Sequence, residues 1–162
     1  MKEIGEDSAL AVRADVTAET DVANMVSAAL ERFGPLYQAA LARQFLWRLG
    51  LHSRGFEADY ALIAAAEKSM RERALSPDAF FHQHRFGRNA EGDLAGMLDL
   101  FSPAGEAHAL WQEDSPPSLV IDNVEAIWSA IDQRDDWGPL HETIAAIRRL
   151  GTALGPPPAV MV

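Results

Sequence analysis

The chain changes character at Phe33-Gly34-Pro35-Leu36, and this change limits its fold more than any other feature. Before it, the sequence has the pattern of one short strand and one amphipathic helix. After it comes a run of helical patterns rich in Ala and Trp, without a strand signal. Glycine is the usual left-handed residue after a helix and proline does not continue one, so Gly34 and Pro35 predict a helix end. We therefore expect two segments that meet near residue 34.

The first segment opens with a short apolar run, Ala9-Leu10-Ala11-Val12. Such a run is typical of a buried strand in a parallel sheet, although four residues also fit a helix end. Thr17 is placed to cap the following helix through its hydroxyl group. A lone strand has no sheet to join, so we expect this one to be poorly ordered, helical instead, or paired with another chain. The apolar face of the helix consists of Val22, Met25, Val26, Ala29, Leu30 and Phe33.

Three stretches of the first segment match one known family in their pattern. They are Glu3-Ile4-Gly5, Ala9 to Thr17, and Asp21-Val22 with Glu31-Arg32-Phe33-Gly34. Together they resemble the third strand and following helix of short-chain dehydrogenases, in which the aspartate matching Asp15 sits beside the adenine of NAD(P). The family's glycine-rich phosphate loop and Tyr-x-x-x-Lys pair are absent, and a dinucleotide needs its pyrophosphate held at a helix N-terminus. Asp15 is therefore a cofactor-binding candidate only under the dehydrogenase alternative, and otherwise a turn residue.

The second segment, from Leu36 onward, is predicted to be helical throughout. Its first helix ends at Gly50, and a second runs from about Glu57 to Arg73. Ser76 is placed as the N-cap of a short third helix with Pro77 at its first position. Further signals predict an N-cap at Asn89, a capping box at Asp122 and Glu125, a turn at Asp135-Asp136-Trp137-Gly138-Pro139, a last helix on Leu140, Ile144, Ile147 and Leu150, and an end of regular structure at Gly155.

A longer resemblance covers about residues 30–155. It rests on Phe33 to Arg43 with Arg48-Leu49-Gly50-Leu51, on Phe80-Phe81, and on Ile121 to Trp128 followed by Arg134-Asp135-Asp136-Trp137. These stretches are similar to the C-terminal region of the selenoprotein O family. The resemblance implies kinship with a pseudokinase-like protein adenylyltransferase that uses ATP and Mg²⁺ to transfer AMP to protein hydroxyls. The family's nucleotide-binding lysine and metal-binding residues belong to a large body that precedes this region, so we expect this chain to bind no cofactor and to hold no catalytic residue.

Three polar clusters are candidate sites, and each has a simpler structural explanation. His82 and His84 are two residues apart, which points them in different directions on a helix, so we expect solvated surface histidines and no metal. Residues 87–94 contain glycines but lack the closing Gly-Lys-Ser/Thr of a phosphate loop. The carboxylates of Asp132, Asp135 and Asp136 are expected to be solvated at a turn, with Trp137 packed beneath them. The four tryptophans (Trp47, Trp111, Trp128 and Trp137) are expected to belong to the core.

The charge balance excludes several classes of partner. The net charge is −10 and the sequence contains no cysteine, so disulfides, thiolate nucleophiles and cysteine-ligated zinc are excluded. An acidic chain repels phosphate backbones and anionic membranes, and no apolar run approaches the length of a bilayer span. The N-terminus does not have the pattern of a signal peptide, so the expected location is the cytoplasm.

The fold predicted from these patterns is mainly α: an irregular helical bundle with a short N-terminal strand-helix appendage. The expected divisions are residues 1–34, residues 35–155 and a disordered tail at 156–162. The first functional hypothesis is a truncated or rearranged selenoprotein O-like protein that lacks its catalytic body and is inactive alone. The alternatives are an all-α interaction module that docks on a separate catalytic chain, and a vestigial NAD(P)-binding dehydrogenase fragment.

Overall fold

A computed structural model of the chain describes residues 9–105 and 107–158, and this part of the protein is helical, without a strand. A single isolated antiparallel bridge joins Leu51 to Pro103. The mainly α fold class is thereby confirmed. The helices are α1 (Glu19–Leu49), α2 (Phe56–Glu72), α3 (Pro77–His84), α4 (Gly92–Leu98), α5 (Ile121–Arg134) and α6 (Gly138–Leu154), with 3₁₀ turns at Arg85–Gly87 and Ala109–Gln112.

The predicted N-terminal strand is wrong. Residues 9–15 have no regular structure, and α1 begins at Glu19 with Ala18 as its N-cap. A strand needs a neighbour to accept its backbone hydrogen bonds, and no second strand lies in the described ranges. Thr17 does not cap α1, because its hydroxyl donates to Asp15 instead, at 2.7 Å.

The predicted helix end at Gly34 is also wrong, because α1 runs without a break for 31 residues and contains Pro35. Proline inside a helix removes one backbone hydrogen bond and crowds the preceding turn, at a cost of about 3 kcal/mol. The stretch that follows is rich in Ala, Leu, Gln and Arg, which are strong helix formers. It also buries Phe45, Leu46 and Leu49, so its tertiary packing offsets the local penalty. The expected division of the chain at residue 34 stays a prediction.

The observed helix ends confirm some of the predicted caps and contradict others. Gly50 follows α1 in the left-handed conformation, and the hydroxyl of Ser76 accepts a hydrogen bond from the Ala79 amide at 3.3 Å, both as predicted. Asn89 does not cap α4, which begins at Gly92 after Glu91. The capping box is wrong too, because α5 begins at Ile121 and Asp122 already lies in its first turn. There its negative carboxylate interacts favourably with the positive end of the helix dipole.

The main core lies between the C-terminal part of α1 and helices α2, α3 and α4. Its buried residues include Leu49, Leu62, Phe80 and Leu98. A smaller cluster around Leu110, Trp111 and Ala153 attaches α6 to the rest. Trp128 and Trp137 are exposed, so the prediction that all four tryptophans belong to the core is wrong for these two. Of the predicted tail, residues 156–158 follow α6 without regular structure and 159–162 lie outside the described residues.

Arg85 joins the two clusters through a buried guanidinium group. The side chain is 2% exposed, and one terminal nitrogen donates to the carbonyl oxygens of Trp47 at 3.1 Å and Arg48 at 2.8 Å. Both carbonyls belong to the last turn of α1. That of Trp47 also accepts from the Gly50 amide at 3.0 Å, whereas that of Arg48 has no later helical amide available to it. The guanidinium also lies 4.4 Å from the centre of the Trp111 ring. Burial, with a smaller effect of Arg88, lowers the pKa of Arg85 to about 10, so the group is charged at neutral pH.

His82 and His84 lie in α3 directly before Arg85, and both are buried. The expectation of surface histidines is therefore wrong. His82 Nε2 lies 2.7 Å from the carbonyl oxygen of Glu113, and His84 Nδ1 lies 3.0 Å from that of Arg88. A carbonyl oxygen only accepts, so both imidazoles donate through these nitrogens. The other nitrogen of each ring is buried without a hydrogen-bond partner in the described part of the chain. The two histidines therefore tie α3 to the loops that follow it.

The C-cap glycine of α1 generates the first prediction. We expect Gly50→Ala to destabilise the fold by about 2 kcal/mol or more, because a methyl group would be held at positive φ and in collision. Gly50 has φ +65°, and an added Cβ would lie 2.5 Å from the Phe86 ring and 3.2 Å from the Arg85 guanidinium carbon. Urea unfolding followed by circular dichroism measures the change.

Gly34→Ala is the matched control. Gly34 lies inside α1 with no atom within 4 Å of its added Cβ, so the same substitution should stabilise the chain by about 0.5–1 kcal/mol. Equal effects of the two variants would contradict the described positions of both glycines.

The burial of His84 generates the second prediction. Burial lowers the pKa of His84 more than its hydrogen bond to Arg88 and the nearby Glu91 raise it. The unfolded chain therefore takes up the proton first, and stability should be complete above about pH 6.5 and fall as the pH drops below it, by at most about 1.4 kcal/mol per pH unit. The protonated ring would carry a second N–H, on Nε2, which has no partner in the described residues.

Unfolding free energies measured between pH 7.5 and 5 check this expectation. His84→Gln should flatten the decline, whereas His141→Gln, on the exposed side of α6, should leave the slope as it is. An unchanged slope in His84→Gln would show that another group is responsible.

Candidate functional site

Asp15, the candidate under the dehydrogenase alternative, closes a local turn. Its Oδ1 accepts hydrogen bonds from the backbone amide of Thr17 at 2.9 Å and from the Thr17 hydroxyl at 2.7 Å. Its own amide donates to Asp21 at 3.0 Å. The two bonds from Thr17 lower the pKa of Asp15, although the carboxylate is exposed. One oxygen of Asp15 is thus occupied by the start of α1, in agreement with a turn residue.

The other polar clusters predicted from the sequence make structural contacts. No group of three His, Asp or Glu side chains in residues 9–105 and 107–158 is arranged to hold a metal ion. Asp135 accepts a hydrogen bond from the Trp137 indole at 2.9 Å, and Asp136 accepts one from the Gly138 amide at 3.0 Å. These carboxylates are exposed, as predicted, but Trp137 is exposed beside them instead of packed beneath. They form the turn between α5 and α6.

An open groove of about 750 Å³ lies between α2 and α4. Its floor is formed by small or apolar side chains, including Ala61, Ala65 and Met97. Two ion pairs lie along it, Lys68 with Asp93 at 3.9 Å and Arg73 with Glu91 at 3.6 Å. Since these cations face carboxylates and are largely exposed, the groove has no net positive charge that would attract a phosphate.

A polar cleft of about 490 Å³ opens beside the buried histidines. It is bordered by His82, Trp111 and Arg88, and by the carboxylates of Glu113 and Asp114. Arg88 donates to the carbonyl oxygen of Trp111 at 2.7 Å, and Arg149 of α6 pairs with Glu113 at 3.0 Å. The charged groups of this cleft therefore connect the 3₁₀ turn at Ala109–Gln112 to its neighbours.

One departure from an ordinary protein surface is the outer face of α5. Ile121, Val124 and Trp128 lie on one side of this helix at i, i+3 and i+7, and all three are exposed, Trp128 by 65%. Ala130 is the one residue of α5 that is buried. We call Ile121, Val124 and Trp128 the α5 strip. An amphipathic helix normally turns its apolar residues towards its own core. In α5, Ile127 and Ile131 are half-buried beside Ala130, whereas the α5 strip faces away from the core.

Two other helices also expose apolar side chains. The N-terminal half of α1 exposes Val26, Leu30 and Leu36, and α6 exposes Ile144 and Ile147 in part. Sequence reasoning placed the apolar positions of these helices correctly but assumed that each stripe was buried. Periodicity reports which residues share a face, whereas the presence of a covering element is a tertiary property.

The described helices lack the properties of a membrane span. Over residues 9–105 and 107–158, none of them combines the length and hydropathy that crossing a bilayer requires.

Comparisons with known proteins give one significant similarity. No profile of a known protein family matches the chain, and no solved structure matches it. The protein nucleotidyltransferase YdiU of Gloeobacter violaceus is 24% identical over 150 aligned residues, which cover 76% of this chain and 31% of the relative. The chain thus spans about a third of the length of the curated relative that it matches.

This similarity bears on the two resemblances in the sequence. It gives no support to a dehydrogenase fragment. It does support a distant relationship between this chain and the selenoprotein O family of protein nucleotidyltransferases.

Proposed function

We propose that this chain is a non-catalytic helical module of a selenoprotein O-like protein adenylyltransferase. In this proposal the chain packs against a nucleotide-binding body, supplied by the same polypeptide or by another one, and that body binds ATP and Mg²⁺ and transfers AMP to protein hydroxyls. The observation that carries the proposal is the match to a protein nucleotidyltransferase over 76% of this chain and only 31% of the relative. A segment of that size accounts for a part of such an enzyme.

The positions of the cationic and metal-binding side chains in the described residues support a role outside the reaction centre. Phosphoryl and nucleotidyl transfer depend on cations and metal ions that hold the phosphate groups. Lys68 is placed between two carboxylates, Glu72 and Asp93, each at 3.9 Å. Arg85 is buried against backbone carbonyls, and no three potential metal ligands come together in the described ranges. These side chains do not fit a bound Mg²⁺–ATP.

The exposed apolar face of α5 supports the packing part of the proposal. A single polypeptide that is complete in its packing rarely leaves a tryptophan, a valine and an isoleucine exposed on one helix face. In this chain α5 has that arrangement. An interaction module that docks on a separate catalytic chain, the second hypothesis from the sequence, makes the same use of this face. The two versions differ only in whether one polypeptide or two are involved.

An adenylylation assay tests the proposed function. The purified full chain is incubated with ATP, Mg²⁺ and a protein acceptor, alone or with the part of the Gloeobacter violaceus relative that lies outside the match. We expect no transfer of AMP by the chain alone, and a change in the activity of the added part when the chain is present. Intact-protein mass spectrometry detects each added AMP.

Lys68→Ala is the control for an unrecognised nucleotide site in this chain. It should leave the result unaltered, because Lys68 is surrounded by carboxylates in the groove between α2 and α4. Transfer of AMP by the chain alone, abolished in Lys68→Ala, would overturn the proposal and place a catalytic centre in this groove.

A further inference from the structure

The α5 strip has the features of a docking surface, and the first of these is its poor attachment to its own chain. Isolated helices of fewer than about 12–15 residues are marginal in water, and α5 has 14 residues. Helices of this length are stabilised mainly by burying an apolar stripe. In α5 the strip of Ile121, Val124 and Trp128 is exposed, only Ala130 is fully buried, and Ile127 and Ile131 are half-buried beside it. A covering partner would supply the missing stabilisation.

The second feature is the composition and spacing of the strip. Anchors at i, i+3 and i+7 are those by which an amphipathic helix enters an apolar groove. A tryptophan in such a strip is the type of side chain that most often dominates binding energy. Leu119 and Val120, which directly precede the helix, are exposed as well and extend the apolar surface at its N-terminal end.

The third feature is a border of unpaired negative charge. Glu125 and Asp132 lie three residues before and four residues after Trp128, so both carboxylates lie on the same side of α5 as the strip. Both are exposed, and neither pairs with a cation in the described part of the chain. A complementary surface must therefore be an apolar groove with basic residues along its edge. A second copy of this chain, with a net charge of −10, is a poor match to that requirement.

We propose that the α5 strip is the surface by which this chain docks into an apolar, basic-edged groove on the nucleotide-binding body of a protein adenylyltransferase. The inference rests on the proposed function and adds to it the contact surface and the chemistry of the partner. It assigns no docking role to the equally apolar N-terminal half of α1. There Leu30 is 67% exposed, which makes it a control of matched exposure for Trp128.

Binding measurements on the full chain test this docking surface. The probe is the part of the Gloeobacter violaceus relative outside the match, purified and shown to be folded by circular dichroism, with affinity measured by isothermal titration calorimetry. We expect Trp128→Glu and Val124→Glu each to weaken binding at least tenfold, and Leu30→Glu to leave it unchanged. The double variant Glu125→Lys/Asp132→Lys should slow association and remove most of its salt dependence. All substituted side chains are exposed, so helicity should be retained in each variant.

The outcomes separate the docking surface from the function on which it depends. If the wild-type chain does not bind the probe, the proposed function fails. If it binds and Trp128→Glu binds equally well while Leu30→Glu does not, the function stands and the docking surface is wrong. If sedimentation equilibrium shows a dimer of the wild-type chain that Trp128→Glu dissociates, a second copy covers the strip and the proposal is overturned.

Discussion

The buried guanidinium of Arg85 is the interaction on which the arrangement of this protein depends. It donates to the last-turn carbonyls of α1 and lies over the ring of Trp111. Removing a cation from water is costly unless it finds hydrogen-bond acceptors, and the Arg48 carbonyl at the end of α1 is an acceptor that would otherwise require water. The same side chain therefore completes α1 and fixes the position of the smaller cluster that holds α6. Gly50 permits this approach, because a larger residue would occupy the space of the Phe86 ring and crowd the guanidinium.

Local sequence signals predicted the secondary structure well where the deciding interaction was itself local. Ser76 and Pro77 marked the start of α3, and Gly50 marked the end of α1, because caps depend on a residue and its immediate neighbours. The prediction failed at Gly34 and Pro35. The helix continues there because Phe45, Leu46 and Leu49 pack about 15–21 Å further along it, and a glycine–proline pair carries no information about that packing. The lone strand failed because a strand exists only with a partner.

The candidate sites were less predictable than the fold, and for a physical reason. A histidine two residues from another looks the same in sequence whether it is solvated or buried, and only the loops that return to α3 supply the carbonyls that bind His82 and His84. The α5 strip illustrates the opposite case. Its periodicity was evident, but whether the stripe faces inward depends on elements far away in the chain. The exposure of Trp128 is evident only from the structure.

The continuity of α1 through Pro35 has a mechanical consequence. A helix advances by about 1.5 Å and turns by about 100° per residue, so the 31 residues of α1 act as a rod about 46 Å long that fixes both distance and rotation. Its buried residues all lie between Ala42 and Leu49. Deleting one residue from the stretch between Pro35 and Ala42 would therefore leave the core intact and yet rotate Val26 and Leu30 by about a quarter of a turn around the rod. The orientation of everything carried on the N-terminal half of α1 is set by the exact number of residues in that stretch.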